Sequence, residues 1–483
     1  MKTIIYQLLP RLWGSGKFSS VDTGSFNYLK ALGVDCIWFT GVLRHATRWG
    51  DHPEKVVKGE AGSPYAITDY YDVNPYLADN PEQRMEEFRS LVKRSHEAGF
   101  KVLIDFVPNH VAREYSGACT PSGSSRLGEG DNSSVHWAPE NDFYYYPGQA
   151  LRLPAAAGGY TEVPAKASGN AFTPAPGMND WWETVKLNYC DFHTRTWDKM
   201  LDIVRFWASQ GVDGFRCDMV ELVPPQFMQW LIASVKKEYP SLMFVAEVYQ
   251  KEKYGLYVRE VGFDLLYDKS GLYDTLRAVC CEGASAKGIT WNWQFLQDLQ
   301  PRMLNFLENH DEQRLASDFF LCKARNGFAA LAVSLLLTDA PFMLYMGQEA
   351  GERGMQEEGF SGLDGRTSIF DWCHVPALEN PDTEVLERYR EWLTLSHAPA
   401  FSEGKSYDLC YAQDAPSFCP DRHFAFLRSD GKESYLVVAN FGESGEISVR
   451  IPPEALDFLG IKLLRTVYTV QVEGKDAVIV KLA

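Results

Sequence analysis

The sequence predicts an α/β protein: a (β/α)8 TIM barrel with an irregular subdomain inserted after strand 3 and a C-terminal antiparallel β-sandwich. Three observations carry this expectation. Short β-type runs alternate with longer helix-type runs up to about residue 399, the pattern of a parallel sheet with crossover helices. About eighty residues between His110 and Asp191 interrupt the alternation, too many for an ordinary connection. After residue 400 the helix-type runs stop, and short β-type runs with Gly at the turns take over.

The eight barrel strands are expected at Thr3 to Leu9, Cys36 to Val42, Lys101 to Val107, Gly214 to Val220, Leu242 to Val248, Phe263 to Lys269, Arg302 to Glu308 and Ala340 to Met346. Several are continuous apolar stretches, as strands covered on both faces should be. Between them, Asn80 is placed to cap a helix, with Pro81 in its first turn and Gln83 completing a capping box. Phe88, Leu91 and Val92 then form its apolar face before Gly99. Trp197, Met200, Leu201, Val204 and Trp207 repeat that spacing up to Gly211. Further helices are expected over Pro225 to Glu238, Gly271 to Cys281, Arg314 to Leu337 and Thr383 to Ser396. Eight strand-helix units close most naturally into a barrel; an open doubly wound sheet is the alternative that periodicity leaves standing. The expected domains are residues 1–110 with 191–399 for the barrel, 111–190 for the insertion and 400–483 for the sandwich, with strands at Phe424 to Arg428, Ser434 to Phe441, Ile447 to Ile451 and Ala477 to Leu482.

Composition narrows the function classes. Lys and Arg number 47 against 64 Asp and Glu, a net charge of −17 that repels phosphate backbones and anionic lipid, so neither nucleic acid nor a membrane is an expected partner. The longest apolar run, Phe328 to Leu337, is too short to span a bilayer. The chain is expected to start inside its first strand with no signal segment, and its ten Cys show no C-x-x-C spacing; both favour a cytoplasmic protein with reduced thiols.

The strand ends carry the chemistry. KVLIDFVPNH places Asp105, Asn109 and His110 at and beyond the end of strand 3. In GFRCDMV, Arg216 and Asp218 lie two apart and so share a strand face, with Cys217 on the other. LMFVAEV delivers Glu247, and NFLENHD delivers His310 and Asp311. Any one acid could be a buried ion-pair partner, of Arg216 for instance; three acids and two histidines at one end of a barrel point to use rather than stability. Arg216 is expected to favour the ionised form of Asp218, and Glu247, near two aspartates, to have its pKa raised and hold its proton.

These motifs, in this order and on these strands, resemble the α-amylase family, glycoside hydrolase family 13: DFVPNH (105–110), GFRCD (214–218), AEV (246–248) and ENHD (308–311), with weaker matches at GVDCIWFTGV (33–42), SPYAITDYYDVNP (63–75), KLN (186–188) and APFMLYMGQE (340–349). The resemblance implies Asp218 as nucleophile, Glu247 as general acid/base and Asp311 as the residue stabilising the distorted transition state. It also implies substrate binding by His110, His310, Arg216 and Tyr65, the last forming a platform beneath the sugar. The implied function is retaining hydrolysis of α-1,4-glucosidic bonds in starch, glycogen or maltooligosaccharides, and a retaining glycosidase needs two carboxyl groups about 5 to 5.5 Å apart, one ionised for attack and one protonated for the leaving oxygen. An α-glucosidase or glucanotransferase with the same site, or an inactive sugar-binding relative, stays open as an alternative. No cofactor is needed for the chemistry, and a structural calcium is possible because Asn109 matches a ligand position in many relatives. The sequence departs from the family where Glu221 and Leu222 replace a Lys-His pair that holds leaving-group sugars, where Gly41 replaces a proline, and where Lys186 replaces an acidic residue before Leu-Asn.

Overall fold

A computed structural model describes residues 2–482. Eight parallel strands form a closed barrel: β1 (Ile4–Leu8), β2 (Cys36–Phe39), β3 (Lys101–Phe106), β4 (Gly214–Cys217), β5 (Met243–Ala246), β6 (Leu265–Tyr267), β7 (Met303–Phe306) and β8 (Phe342–Tyr345). Each pairs with the next in sequence, and β8 closes on β1 through Ile4 opposite Phe342. The open doubly wound sheet is thereby excluded.

Alternation along the strands sorts residues to two faces. Ile5, Trp38, Leu103, Val245, Tyr267, Leu304, Phe306 and Met343 pack inside the barrel as one cluster. Phe39, Phe106, Phe215, Cys217 and Phe244 belong to the larger core that also holds the helices. Arg216, between Phe215 and Cys217, therefore points inward, and Gly214 makes that crowding possible: a Cβ there would lie 2.2 Å from the Met243 carbonyl oxygen.

The helices start where the side chains supply caps. Asp22 accepts from the Ser25 amide at the head of Thr23–Ala31, and Asp382 accepts from the Val385 amide at the head of Thr383–Ser396. Arg195–Ser209 and Pro225–Val235 lie at the expected places. Asn80 caps as expected, accepting from Glu82, but the first turn is a 3-10 turn and the α-helix runs over Arg84–Glu97. That offset moves the reciprocal bond from Gln83 to Glu87, whose carboxylate accepts the amides of Asp79 and Asn80, each at 2.8 Å.

Elsewhere the expected helices need correction. Arg314 to Leu337 is α-helical only over Phe328–Leu336. Its first half is irregular because Arg314 is drawn inward to Glu308 at 2.9 Å and the Met346 carbonyl at 3.0 Å. The Gly271 to Cys281 helix is widened by π-turns on both sides of Asp274–Arg277, and Lys287–Leu296 is a helix the periodicity did not reveal.

Between His110 and Asp191 the described strands are only two or three residues long, at His110–Ala112, Tyr145–Tyr146, Ala165–Lys166 and Thr184–Lys186. Beyond the barrel, Lys405–Asp408, His423–Ser429, Ser434–Asn440 and Ala477–Lys481 form one antiparallel sheet, and Gly445–Arg450 pairs with Val467–Val472. Helices do not stop at residue 400, since Pro399–Ser402 and Pro453–Leu459 are helical. Among the described residues no helix is long and apolar enough to cross a membrane.

Candidate active site

The carboxyl ends of the strands open on a pocket of about 530 Å³, within the range of small-ligand sites. Tyr65, His110, Asp218, Glu247 and Asp311 line it. His310 and Arg216 lie just beneath, almost fully buried. All seven residues singled out from the sequence are thus brought to one place.

Arg216 is the centre of the site. Its Nη1 donates to Asp218 Oδ1 at 2.7 Å and its Nη2 lies 2.9 Å from Glu247 Oε1. The guanidinium sits among three aromatic rings, 5.5 Å from Trp38, 5.3 Å from Tyr65 and 5.4 Å from Tyr267, whose hydroxyl also accepts from Nε at 3.3 Å. Burial works against its charge, but Glu247 and the surrounding groups hold it firmly protonated.

Arg216 was expected to favour the ionised form of Asp218; it reaches Glu247 as well and so bridges both carboxyl groups. Arg216 favours the ionised form of Asp218, as expected, while burial pushes the Asp218 carboxyl well above the usual aspartate range.

Local backbone geometry aims the Glu247 carboxyl group. Met219, directly after Asp218, adopts a left-handed conformation (φ 44°, ψ 45°), uncommon for a residue with a side chain. Its amide thereby donates to Glu247 Oε2 at 2.9 Å. The Tyr249 hydroxyl is 2.8 Å from Glu247 Oε1.

The histidines are neutral. Burial, reinforced for His310 by Arg216, brings its imidazole down to about 3; burial with Lys186 and Lys58 does the same for His110. Gln7 Nε2 lies 2.8 Å from His310 Nδ1, and the Tyr65 hydroxyl lies 2.5 Å from its Nε2. The amide group can donate to Nδ1, which leaves the proton on Nε2, facing Tyr65. The Tyr65 ring stacks on the His310 ring with centroids 5.3 Å apart. His110 packs 5.2 Å from Trp181, and Gly169 backs both: a Cβ there would lie 2.9 Å from Trp181 and 3.2 Å from His110. Asp105 accepts from the Gly41 amide at 3.1 Å, and burial raises it to about 7.

Sequence reasoning missed several lining groups. Trp181, Tyr249 and the ion pair of Lys58 with Glu183, 2.9 Å long, come from loops whose composition carries no pattern. Lys269, at the end of an expected strand, Tyr249, two residues beyond Glu247, and Glu312, next to Asp311, each left a signal by position.

The expected calcium does not fit at Asn109. Its Oδ1 accepts from the Lys186 ammonium, which also donates to the Leu222 carbonyl at 2.8 Å, and its Nδ2 donates to the Gly169 carbonyl at 2.9 Å. A cation would meet a cation there rather than a set of oxygens. Among the described residues no cluster of three or more His, Cys, Asp or Glu is arranged to hold a metal ion.

Comparison with known proteins gives three findings. The family model described as alpha amylase, catalytic domain, matches residues 16–371. Among curated proteins, the chain is 26% identical over 450 residues to alpha-amylase MalA of Haloarcula japonica, covering 91% of this chain and 55% of that one, and 24% identical to alpha-amylase 3 of Dictyoglomus thermophilum, covering 69% and 60%. The chain spans little more than half the length of these relatives. Among solved structures, cyclic alpha-maltosyl-(1→6)-maltose hydrolase of Arthrobacter globiformis matches with a TM-score of 0.69 at 18% identity, covering 100% of this chain and 99% of that one, a likeness of fold.

Proposed function

Because the chain belongs to the α-amylase family, we propose that it is a retaining α-glucan glycoside hydrolase that cleaves α-1,4-glucosidic bonds of starch, glycogen or maltooligosaccharides. The observation that carries this reading is the single guanidinium of Arg216 reaching both Asp218 and Glu247 at the floor of a sugar-sized pocket. Two carboxyl groups that close suit a double displacement.

In this mechanism Asp218, once ionised, attacks the anomeric carbon while Glu247 gives its proton to the glycosidic oxygen, and the bonding pair stays on the leaving sugar. A water molecule then attacks the same carbon. Glu247 takes its proton, and the bond to Asp218 breaks with its electron pair returning to the carboxylate. Asp311 carries negative charge beside the oxocarbenium-like transition state. His110, His310 and Tyr65 contact the sugar at the bond being cleaved, and Arg216 orients the two carboxyl groups. No cofactor enters, and Lys186 takes the place of a calcium at Asn109.

Residues 1–110 and 191–399 form the catalytic unit in this reading, 111–190 build one wall of the pocket and 400–483 form a supporting sheet unit. Ten unpaired cysteines favour a reducing, cytoplasmic setting, and the net charge of −17 disfavours nucleic acid and anionic membrane.

The test is a time course with maltoheptaose, following products by chromatography and anomeric configuration by proton NMR. Shorter sugars released with α configuration support hydrolysis with retention. Longer products identify a glucanotransferase, glucose alone an α-glucosidase, and no turnover of any α-glucan a sugar-binding relative.

A further inference from the structure

Glu247 has partners of two kinds. The Met219 amide at Oε2 and the Arg216 guanidinium at Oε1 can only donate hydrogen bonds. The Tyr249 hydroxyl, 2.8 Å from Oε1, can donate or accept. A group that serves first as acid and then as base must be accommodated in both states, because a buried donor without an acceptor is costly. When Glu247 is ionised, the Tyr249 O–H donates to Oε1. When Glu247 is protonated on Oε1, the same 2.8 Å contact accepts.

Tyr249 is also well placed for this task. Its backbone amide donates to Glu221 Oε2 at 2.7 Å, which fixes the turn after β5, and its side chain lines the pocket. The residue is 36% exposed, so its hydroxyl can rotate and a sugar can reach the contact. Burial and the charge of Glu247 raise its phenol far above the ordinary tyrosine range, so it keeps its own proton throughout.

We propose that Tyr249 is a positioning residue for the acid/base: its hydroxyl selects Oε1 as the oxygen that carries the proton and holds that proton until the glycosidic oxygen displaces the hydroxyl as its acceptor. The proposal rests on the reading of Glu247 as general acid/base. In the first half-reaction the proton passes from Glu247 Oε1 to the glycosidic oxygen as the bond to the anomeric carbon breaks, and the Tyr249 O–H turns to donate to the new carboxylate. In the second, Oε1 takes a proton from the attacking water and Tyr249 turns back to accept.

The experiment compares Tyr249→Phe, Glu247→Gln and the unaltered enzyme on two substrates: maltoheptaose, whose leaving alcohol needs protonation, and 2-chloro-4-nitrophenyl α-maltotrioside, whose leaving phenolate does not. We expect Tyr249→Phe to lose about 10-fold in kcat/KM on maltoheptaose. On the aryl substrate it is expected to lose almost nothing, with an unchanged Tm. A general loss of packing would slow both substrates alike. Equal losses on both, or none on maltoheptaose, overturn the proposal. Glu247→Gln separates the two readings: if it is slowed selectively on maltoheptaose and Tyr249→Phe is not, only the role of Tyr249 falls. If Glu247→Gln shows no selective loss, the acid assignment falls with it.

Discussion

The ammonium of Lys186 is bonded to the side-chain oxygen of Asn109, joining the last short strand of the insertion to the segment that follows β3. Lys186 is buried and also reaches the Leu222 carbonyl, so one side chain ties the insertion to the loops that follow β3 and β4. Lys186→Met leaves the oxygens of Asn109 and Leu222 unpaired, at about 1–3 kcal/mol each, and should lower Tm by several degrees. A chelator such as EDTA should leave the Tm of the unaltered protein where it is. Differential scanning fluorimetry with and without EDTA reads both, and a chelator-induced drop would restore the calcium.

Asp218→Asn and Asp311→Asn should each reduce kcat on maltoheptaose by about 10³-fold or more, an effect on the scale of losing a nucleophile or a preorganised charge. Asp218→Asn should leave Tm equal or raise it, because burial disfavours the charge that it removes. Steady-state rates with a thermal melt of each variant provide the check. Rates like those of the unaltered protein would reject the assignment.

The pH profile should carry the mark of burial. Attack in the proposed mechanism requires ionised Asp218, and burial raises that carboxyl well above the ordinary aspartate range. Activity should therefore fall on the acid side at a pH clearly above about 3.9, the value of an unperturbed aspartate. The quantity to measure is kcat/KM from pH 3.5 to 8, and a plateau persisting down to pH 4 would contradict the shift.

Gly169 sets the position of two lining rings. A methyl group there meets Thr184 Oγ1 at 2.6 Å as well as Trp181 and His110. Gly169→Ala should push His110 off its place and cut kcat/KM by roughly 10- to 100-fold, since a displacement near 1 Å is enough for losses of that order. Kinetics on maltoheptaose test it, with circular dichroism to verify the fold.

The ion pair of Lys58 with Glu183 at the pocket rim responds differently to single and double substitution. Lys58 and Glu183 are both largely buried, so Lys58→Met leaves an unpaired carboxylate and should destabilise by about 3–5 kcal/mol. The double variant Lys58→Met with Glu183→Leu should recover most of that loss, as a thermal or urea melt would reveal.

All eight barrel strands were legible in the sequence, because a strand buried on both faces must be apolar along its length and then end in something usable. Arg216, Asp218 and Glu247 stood out as charges inside such runs. The helix over Arg314 to Lys323 was misread because an apolar period cannot announce that Arg314 is claimed by Glu308. Lys405–Asp408 and Val467–Val472 were missed because their exposed alternation is weak, and Tyr249 and Trp181 because loops position side chains through contacts distant in sequence. The contact of Arg216 with Glu247 went unforeseen for a related reason: spacing reveals which face a side chain occupies, not how many neighbours share it.

Arg428, on the middle of the C-terminal sheet, buries its guanidinium and donates to the carbonyls of Leu337, Ala400, Phe401 and Gly404. One face of the same sheet, through Phe424, Phe426, Val437 and Ala439, belongs to the large apolar core that surrounds the barrel. The sheet is therefore no detachable appendage. A chain cut after residue 399 would keep all seven pocket residues singled out from the sequence and yet expose a raw hydrophobic flank, so attempts to trim the protein to its barrel should yield aggregates.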